Sequence, residues 1–238
     1  MKHQPRYHRN NRNWRLFYEP FYKGQPVLCD HHHHGPLVEN FLEQTQTLLQ
    51  RTRDQNAKSL AVRFDLYLPN EAPGLTGIDQ GSAILKNFWH NLALEFRNAQ
   101  LSHPPKPEYA WARESGPVAG RTHFHVLLIL DANSIRALGT PAPSNDATFS
   151  DSTLAHRLIR SWLSALGMPP TAELGHLVNF QKNEHTRTFC AHFIHREDDQ
   201  SWQHLFYLAS YLCKANSKPV GQGLRTFETS RVYQRAAL

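Results

Sequence analysis

The sequence predicts an α+β fold, a central antiparallel β-sheet with helices packed on it, and three observations carry the prediction. Residues 59–69 alternate in side-chain character, with Val62, Phe64, Leu66 and Leu68 on one face and Arg63, Asp65 and Tyr67 on the other, the period of a strand. Two further strand-like runs, 108–114 and 121–130, flank the turn-rich stretch 115–120 and read as a β-hairpin. Around them lie segments whose apolar residues recur every three or four positions, the mark of helices with one buried face.

In chain order, residues 1–35 mix Arg, Asn, Tyr and His without a sustained period and read as a basic N-terminal arm. Leu37, Phe41, Leu48 and Leu49 then give a first helix, running to about residue 53. The strand over 59–69 follows, and Pro69 ends it. Asp79 is the expected N-cap of a second helix that carries Ile84, Leu85, Phe88, Trp89, Leu92 and Phe96 on one face. Pro104, Pro105 and Pro107 lead into the hairpin, and residues 132–150, rich in Pro, Ser, Asn and Ala, read as an exposed loop. Asp151 or Ser152 is the expected cap of a third helix through Leu154, Leu158, Trp162 and Leu166, stopped by Gly167, Pro169 and Pro170. Its other face carries His156, Arg157 and Arg160, either a solvated basic face or a phosphate contact. Residues 174–181 read as a strand and 201–214 as a last helix with Trp202, Leu205, Leu208 and Leu212 inward. The order α, β, α, β-hairpin, α, β, α completes one domain over residues 36–238.

Composition narrows the function classes. In 238 residues, 40% are hydrophobic and 19% charged, which argues against disorder, and the formal charge of +6 favours an acidic partner, nucleic acid first. No window offers the roughly 18 apolar residues of a spanning helix, and the basic start lacks the apolar stretch of a signal peptide. A cytoplasmic protein is expected, without a membrane partner. Cys29, Cys190 and Cys213 are odd in number and lack C-x-x-C spacing, so they read as reduced and structural. Among 16 histidines, the run His31 to His34 reads as a solvated loop with at most opportunistic metal binding.

Two constellations carry chemistry. His123 and His125 point to one face of a strand, their Cα atoms about 6.5 to 7 Å apart, close enough for both imidazoles to hold one ion. The strand continues as the unbroken apolar run 126–130, so it is central and buried on both faces. Glu114, across the hairpin, is placed to add a carboxylate, and two imidazoles with a carboxylate suit Mg²⁺ or Mn²⁺. The plainer readings are hydrogen-bonded histidines at the edge of the core and a salt bridge from Glu114 to Arg113 or Arg121. In the last helix Tyr207, Tyr211 and Lys214 share a face beside the leucine stripe. A phenol with a pKa near 10 needs a polarised electrophile or a cation beside it to act as a nucleophile. Core packing of the two tyrosines is the alternative.

The ordered set Ala61-Val-Arg-Phe-Asp-Leu, Trp111-Ala-Arg-Glu114, His123-Phe-His125-Val and Ser210-Tyr211-Leu-Cys-Lys214 resembles the HUH endonucleases of rolling-circle replication. Within them the likeness is to the inovirus-type replication proteins and the YagK/YfjJ C-terminal domain family, and it runs from about residue 37 to residue 231. It implies a ferredoxin/RRM-like HUH endonuclease domain in which His123, His125 and Glu114 bind the divalent metal and Asp65 supports the site. Tyr211, with Lys214 beside it, is then the nucleophile that attacks single-stranded DNA at a replication origin and forms a 5′-phosphotyrosine bond. Tyr207 is a second nucleophile for rejoining. A bacterial host's helicase and polymerase are the implied partners, since the chain has no Walker-type Gly-x-x-x-x-Gly-Lys and no nucleotide cofactor is expected. Arg113, Arg157, Arg160, Arg225 and Arg231 are the candidate backbone contacts, and Tyr7, Trp14 and Phe17 the candidate stacking platforms. A non-catalytic DNA-binding regulator and a metal phosphodiesterase using water stand as alternatives.

Overall fold

The computed structural model describes residues 4–29, 35–69, 80–101, 103–115, 122–183, 186–220, 223 and 225–231. The first segment forms β1 (Tyr7–His8), β2 (Asn11–Phe17), β3 (Phe21–Tyr22) and β4 (Gln25–Pro26), and β5 (Leu37–Val38) runs into α1 (Glu39–Gln55). Next come β6 (Lys58–Tyr67), α2 (Gln80–Asn98), β7 (Glu108–Ser115), β8 (Thr122–Asp131) and α3 (Leu154–Ala165). β9 (Val178–Phe180), β10 (Ala191–His195), α4 (Asp199–Ser210) and β11 (Phe227–Thr229) complete the order. The fold is α+β: six strands form an antiparallel sheet in the order β10-β6-β8-β7-β11, with β9 also paired to β6. No helix among the described residues is long and apolar enough to cross a membrane.

Strand alternation divides the sheet into two cores. Leu60, Val62, Phe64 and Leu66 of β6, with Phe124, Val126, Leu128 and Leu130 of β8, face α2 and α3. Ala61 of β6, Leu127 and Ile129 of β8, and Ala110 and Ala112 of β7 face α1 and α4. The second face is apolar only up to the end of α4. Beyond it the same rows continue as Arg63 and Asp65 on β6, His125 and His123 on β8, and Glu114 on β7, so the pleat that builds the core also lines up the polar cluster.

Several expectations need correction. The described part of the segment, residues 4–29, is not a bare arm: β2 pairs with β5, Trp14 packs edge-on against Phe41 of α1, and Tyr22 and Val27 are buried. Trp14 and Phe17 therefore serve packing rather than base stacking, Phe17 lying edge-on to Tyr22 at 5.3 Å, whereas Tyr7 stays 43% exposed. The loop 132–150 is pinned by Leu138 and Phe149, both buried against α3 and its neighbours. The third helix is capped by Thr153, whose hydroxyl accepts from the His156 amide at 3.3 Å, one or two residues later than expected. Residues 172–177 form a 3-10 helix, leaving only β9 as strand. The last helix ends at Ser210 and tightens to a 3-10 turn over Tyr211–Cys213, and Phe206 and Ala209 take the inward place expected for Leu208. The Asp79 cap, the His31 to His34 run and Arg121 lie outside the described residues.

Candidate functional site

The hairpin register sets Glu114 opposite His123, and the β6–β8 register sets Asp65 opposite His125 and Tyr67 opposite His123. One ligand atom from each of Glu114, His123 and His125 lies within 4.8 Å of the others, a group that can hold a metal ion. The two imidazole Nε2 atoms are 3.2 Å apart. His125 Nδ1 is 2.6 Å from Asp65 Oδ1, which fixes the ring and leaves Nε2 turned toward the cluster. Gln181 donates to the other Asp65 oxygen. Tyr67 stacks on His123 at 5.5 Å and an 18° interplanar angle, so both imidazoles are held on their outer sides. Two oriented imidazole nitrogens beside a carboxylate are a donor set that fits a divalent cation, which would take Nε2 of each histidine and a Glu114 oxygen.

The electrostatics fit the same assignment. Burial alone would raise the Glu114 carboxyl, but the hydrogen bond with His125 and the charges of Lys218 and Lys214 hold it well below the usual carboxylate range. Burial works against the charged form of His125, yet bonds to Asp65 and Glu114 win and raise its pKa. Lys214 Nζ lies 3.3 Å from Glu114 Oε2 and Lys218 Nζ 3.4 Å from Glu114 Oε1. Lys218 is fully buried, and burial pushes its ammonium down to about 8 against the attraction of Glu114, so near neutrality the pair is ionic.

Tyr211 converges on this cluster. Its ring meets the His125 ring edge-on at 5.1 Å between centroids. Lys214 Nζ lies 3.6 Å from the Tyr211 ring centroid and Arg63 Cζ 4.1 Å from it. The 3-10 turn after α4 brings Tyr211 and Lys214 to the end of the sheet, and a β-bridge between Lys214 and Leu37 anchors that turn. Tyr207, one turn earlier in α4, is half-buried, and among the described residues no hydrogen bond, ion pair or ring contact joins its side chain to the cluster.

Three of the expected DNA contacts are structural. Arg113 faces the other side of the sheet, 2% exposed, beside Phe124 and bonded to Ser82 Oγ at 3.1 Å; Gly81 leaves the room its guanidinium fills. Arg157 donates to Ser152 O and Glu95 O, and Arg160 to the Glu95 carboxylate at 2.6 and 2.8 Å and to Phe149 O and Asp151 O. His156 is fully buried, with Nε2 2.8 Å from Ala142 O, so the face read as solvated is packed. Arg225 and Arg231 do remain at the surface, both beside Glu228. Among the described residues Glu114 pairs with Lys214, Lys218 and His125, not with Arg113, which faces the other side of the sheet. Sequence reasoning missed Lys218, Gln181 and Arg63; only Arg63 carried a signal, being on the face of its strand that bears Asp65.

Comparison with known proteins agrees with the span of the fold. The model of a family described as "YagK/YfjJ C-terminal domain" matches residues 19–230. A curated Escherichia coli (strain K12) protein, "Uncharacterized protein YfjJ", is 24% identical over 214 residues, covering 83% of this chain and 96% of its own.

Proposed function

The chain belongs to the YagK/YfjJ C-terminal domain family, and from the site it carries we propose that it nicks and rejoins single-stranded DNA at a rolling-circle origin through Tyr211. The observation that carries this reading is the convergence of a tyrosine, two cations and a metal-type donor set on one end of the sheet, with the Tyr211 ring 5.1 Å from that of His125. Tyr211 attacks the phosphorus, its oxygen forms the 5′-phosphotyrosine bond and a 3′-OH departs, so one phosphodiester replaces another and no nucleotide cofactor is consumed. The divalent ion, Mg²⁺ or Mn²⁺, supplies charge neutralisation and alignment at the phosphate. Asp65 orients His125, and Lys214 adds positive charge beside the phenol, held in place by Glu114. Arg225 and Arg231 offer surface charge to the DNA backbone. Tyr207 takes part only in a later joining step.

Incubation with a labelled single-stranded origin oligonucleotide and Mn²⁺ gives a covalent adduct that survives denaturation and is lost in Tyr211→Phe, while Tyr207→Phe keeps it. Cleavage without an adduct in Tyr211→Phe would show that water is the nucleophile. Binding without cleavage in the unaltered protein would show a regulator instead.

A further inference from the structure

Arg63 is half-buried on β6, and among the described residues its guanidinium has no hydrogen-bond acceptor and no carboxylate. Its Nε is sealed from solvent and unpaired. Its Cζ lies 4.1 Å from the Tyr211 ring centroid, and its main-chain N–H donates to Cys190 O at 3.0 Å, which fixes the strand beneath it.

Arg51 and Arg113 also have a sealed Nε, but among the described residues the other inward-turned arginines each have an acceptor elsewhere on the guanidinium, Arg113 at Ser82 Oγ. Arg51 bonds Glu108, Arg53 bonds Asp199, Arg157 and Arg160 share Glu95, and Arg196 Nε donates to two carbonyls. Removing a cation from water without a partner is costly, and an arginine that departs from this pattern beside a candidate nucleophile calls for an anion from outside. Lys214, on the same tyrosine, is already committed to Glu114 at 3.3 Å. Of the two cations over the Tyr211 ring, Arg63 is thus the one without a carboxylate among the described residues. Its planar fork matches the two non-bridging oxygens of a phosphodiester, which a lysine can meet only as a point charge.

We propose that Arg63 is a substrate-binding residue whose terminal guanidinium nitrogens hold the phosphodiester group presented to Tyr211. The inference rests on the reading of the site as one that receives single-stranded DNA, and it adds that the phosphate is gripped from the β6 side of the tyrosine. Stacked on the ring, Arg63 sets phosphate and phenol in fixed relation.

The test uses the full chain and a fluorescein-labelled single-stranded oligodeoxynucleotide, with affinity read by anisotropy over a salt series in EDTA so that no turnover occurs. Arg63→Gln weakens binding by about tenfold or more and flattens the slope of log affinity against log salt by about 0.7, one single-strand phosphate contact. Arg63→Lys falls between it and the unaltered protein. Mn²⁺ binding, measured by calorimetry, changes less than about twofold, because Arg63 touches no donor atom of the cluster. Unchanged affinity and slope in Arg63→Gln would overturn the proposal even if Tyr211 forms its adduct. Conversely, lost affinity in a protein that never forms an adduct would keep the phosphate grip and remove the tyrosine chemistry. If Arg63→Gln melts before it can be assayed, Arg63→Lys decides: binding equal to the unaltered protein overturns the proposal.

Discussion

His125 is held between two carboxylates, Nδ1 2.6 Å from Asp65 and Nε2 3.3 Å from Glu114, and in the metal-free protein this favours its protonated form. A protonated Nε2 cannot ligate, so metal and proton compete for one atom. With the His125 pKa raised above 6.5, Mn²⁺ affinity measured by calorimetry starts to fall above pH 6.5 and keeps falling as pH drops. Asp65→Asn removes one of the groups that hold the proton and also the orienter of the ring. The acid limb then moves to lower pH, while affinity at pH 8 drops by about 10- to 100-fold. Loss of affinity without movement of the limb would mean that Asp65 only orients the ring.

At the scale of elements, the long pieces were legible: β6 follows from alternation of two, α2 from recurrence of three to four, and β7 and β8 from strand-like runs on either side of a turn-rich stretch, β8 carrying an unbroken apolar run. So was the gathering of His123, His125 and Glu114, because strand alternation and antiparallel pairing put them on one face, whereas Tyr211 and Lys214 reach the site through the 3-10 turn after α4 and not through the helical period expected for them. The elements that escaped are short and owe their form to neighbours. β10 and β11 are edge strands of five and three residues whose pairing partners, β6 and β7, lie far away in sequence. Lys218 escaped for the same reason, since nothing in its local pattern marks a lysine that ends fully buried against Glu114. In sequence the N-terminal strands resemble an arm because their apolar residues have no period, yet Trp14 packs on Phe41, and Phe41 stacks on Phe227 at 4.4 Å. Trp14→Ala therefore costs about 3 kcal/mol of unfolding free energy, read from thermal or denaturant melts. A truly detached arm would give a change near zero.

Across the whole molecule, the net charge of +6 is divided unequally between interior and surface, and that division decides which arginines can meet DNA. Arg160 is spent on Glu95 and on carbonyls of the loop before α3, with its side chain 21% exposed, so it ties α3 to α2. Arg225 and Arg231 are 51% and 77% exposed and share one acidic neighbour, Glu228. The two sets should therefore fail in opposite ways. Arg160→Ala leaves a partly buried carboxylate and costs about 2 kcal/mol of stability, with the salt slope of oligonucleotide binding unchanged at temperatures where the protein is folded. Arg225→Ala with Arg231→Ala changes stability by less than about 0.5 kcal/mol and flattens the slope by about 1.4, two single-strand contacts. Melting curves and anisotropy on the same samples separate the outcomes. A flattened slope in Arg160→Ala, or none in the double variant, would place the nucleic-acid surface on the α2–α3 side of the sheet, away from Tyr211.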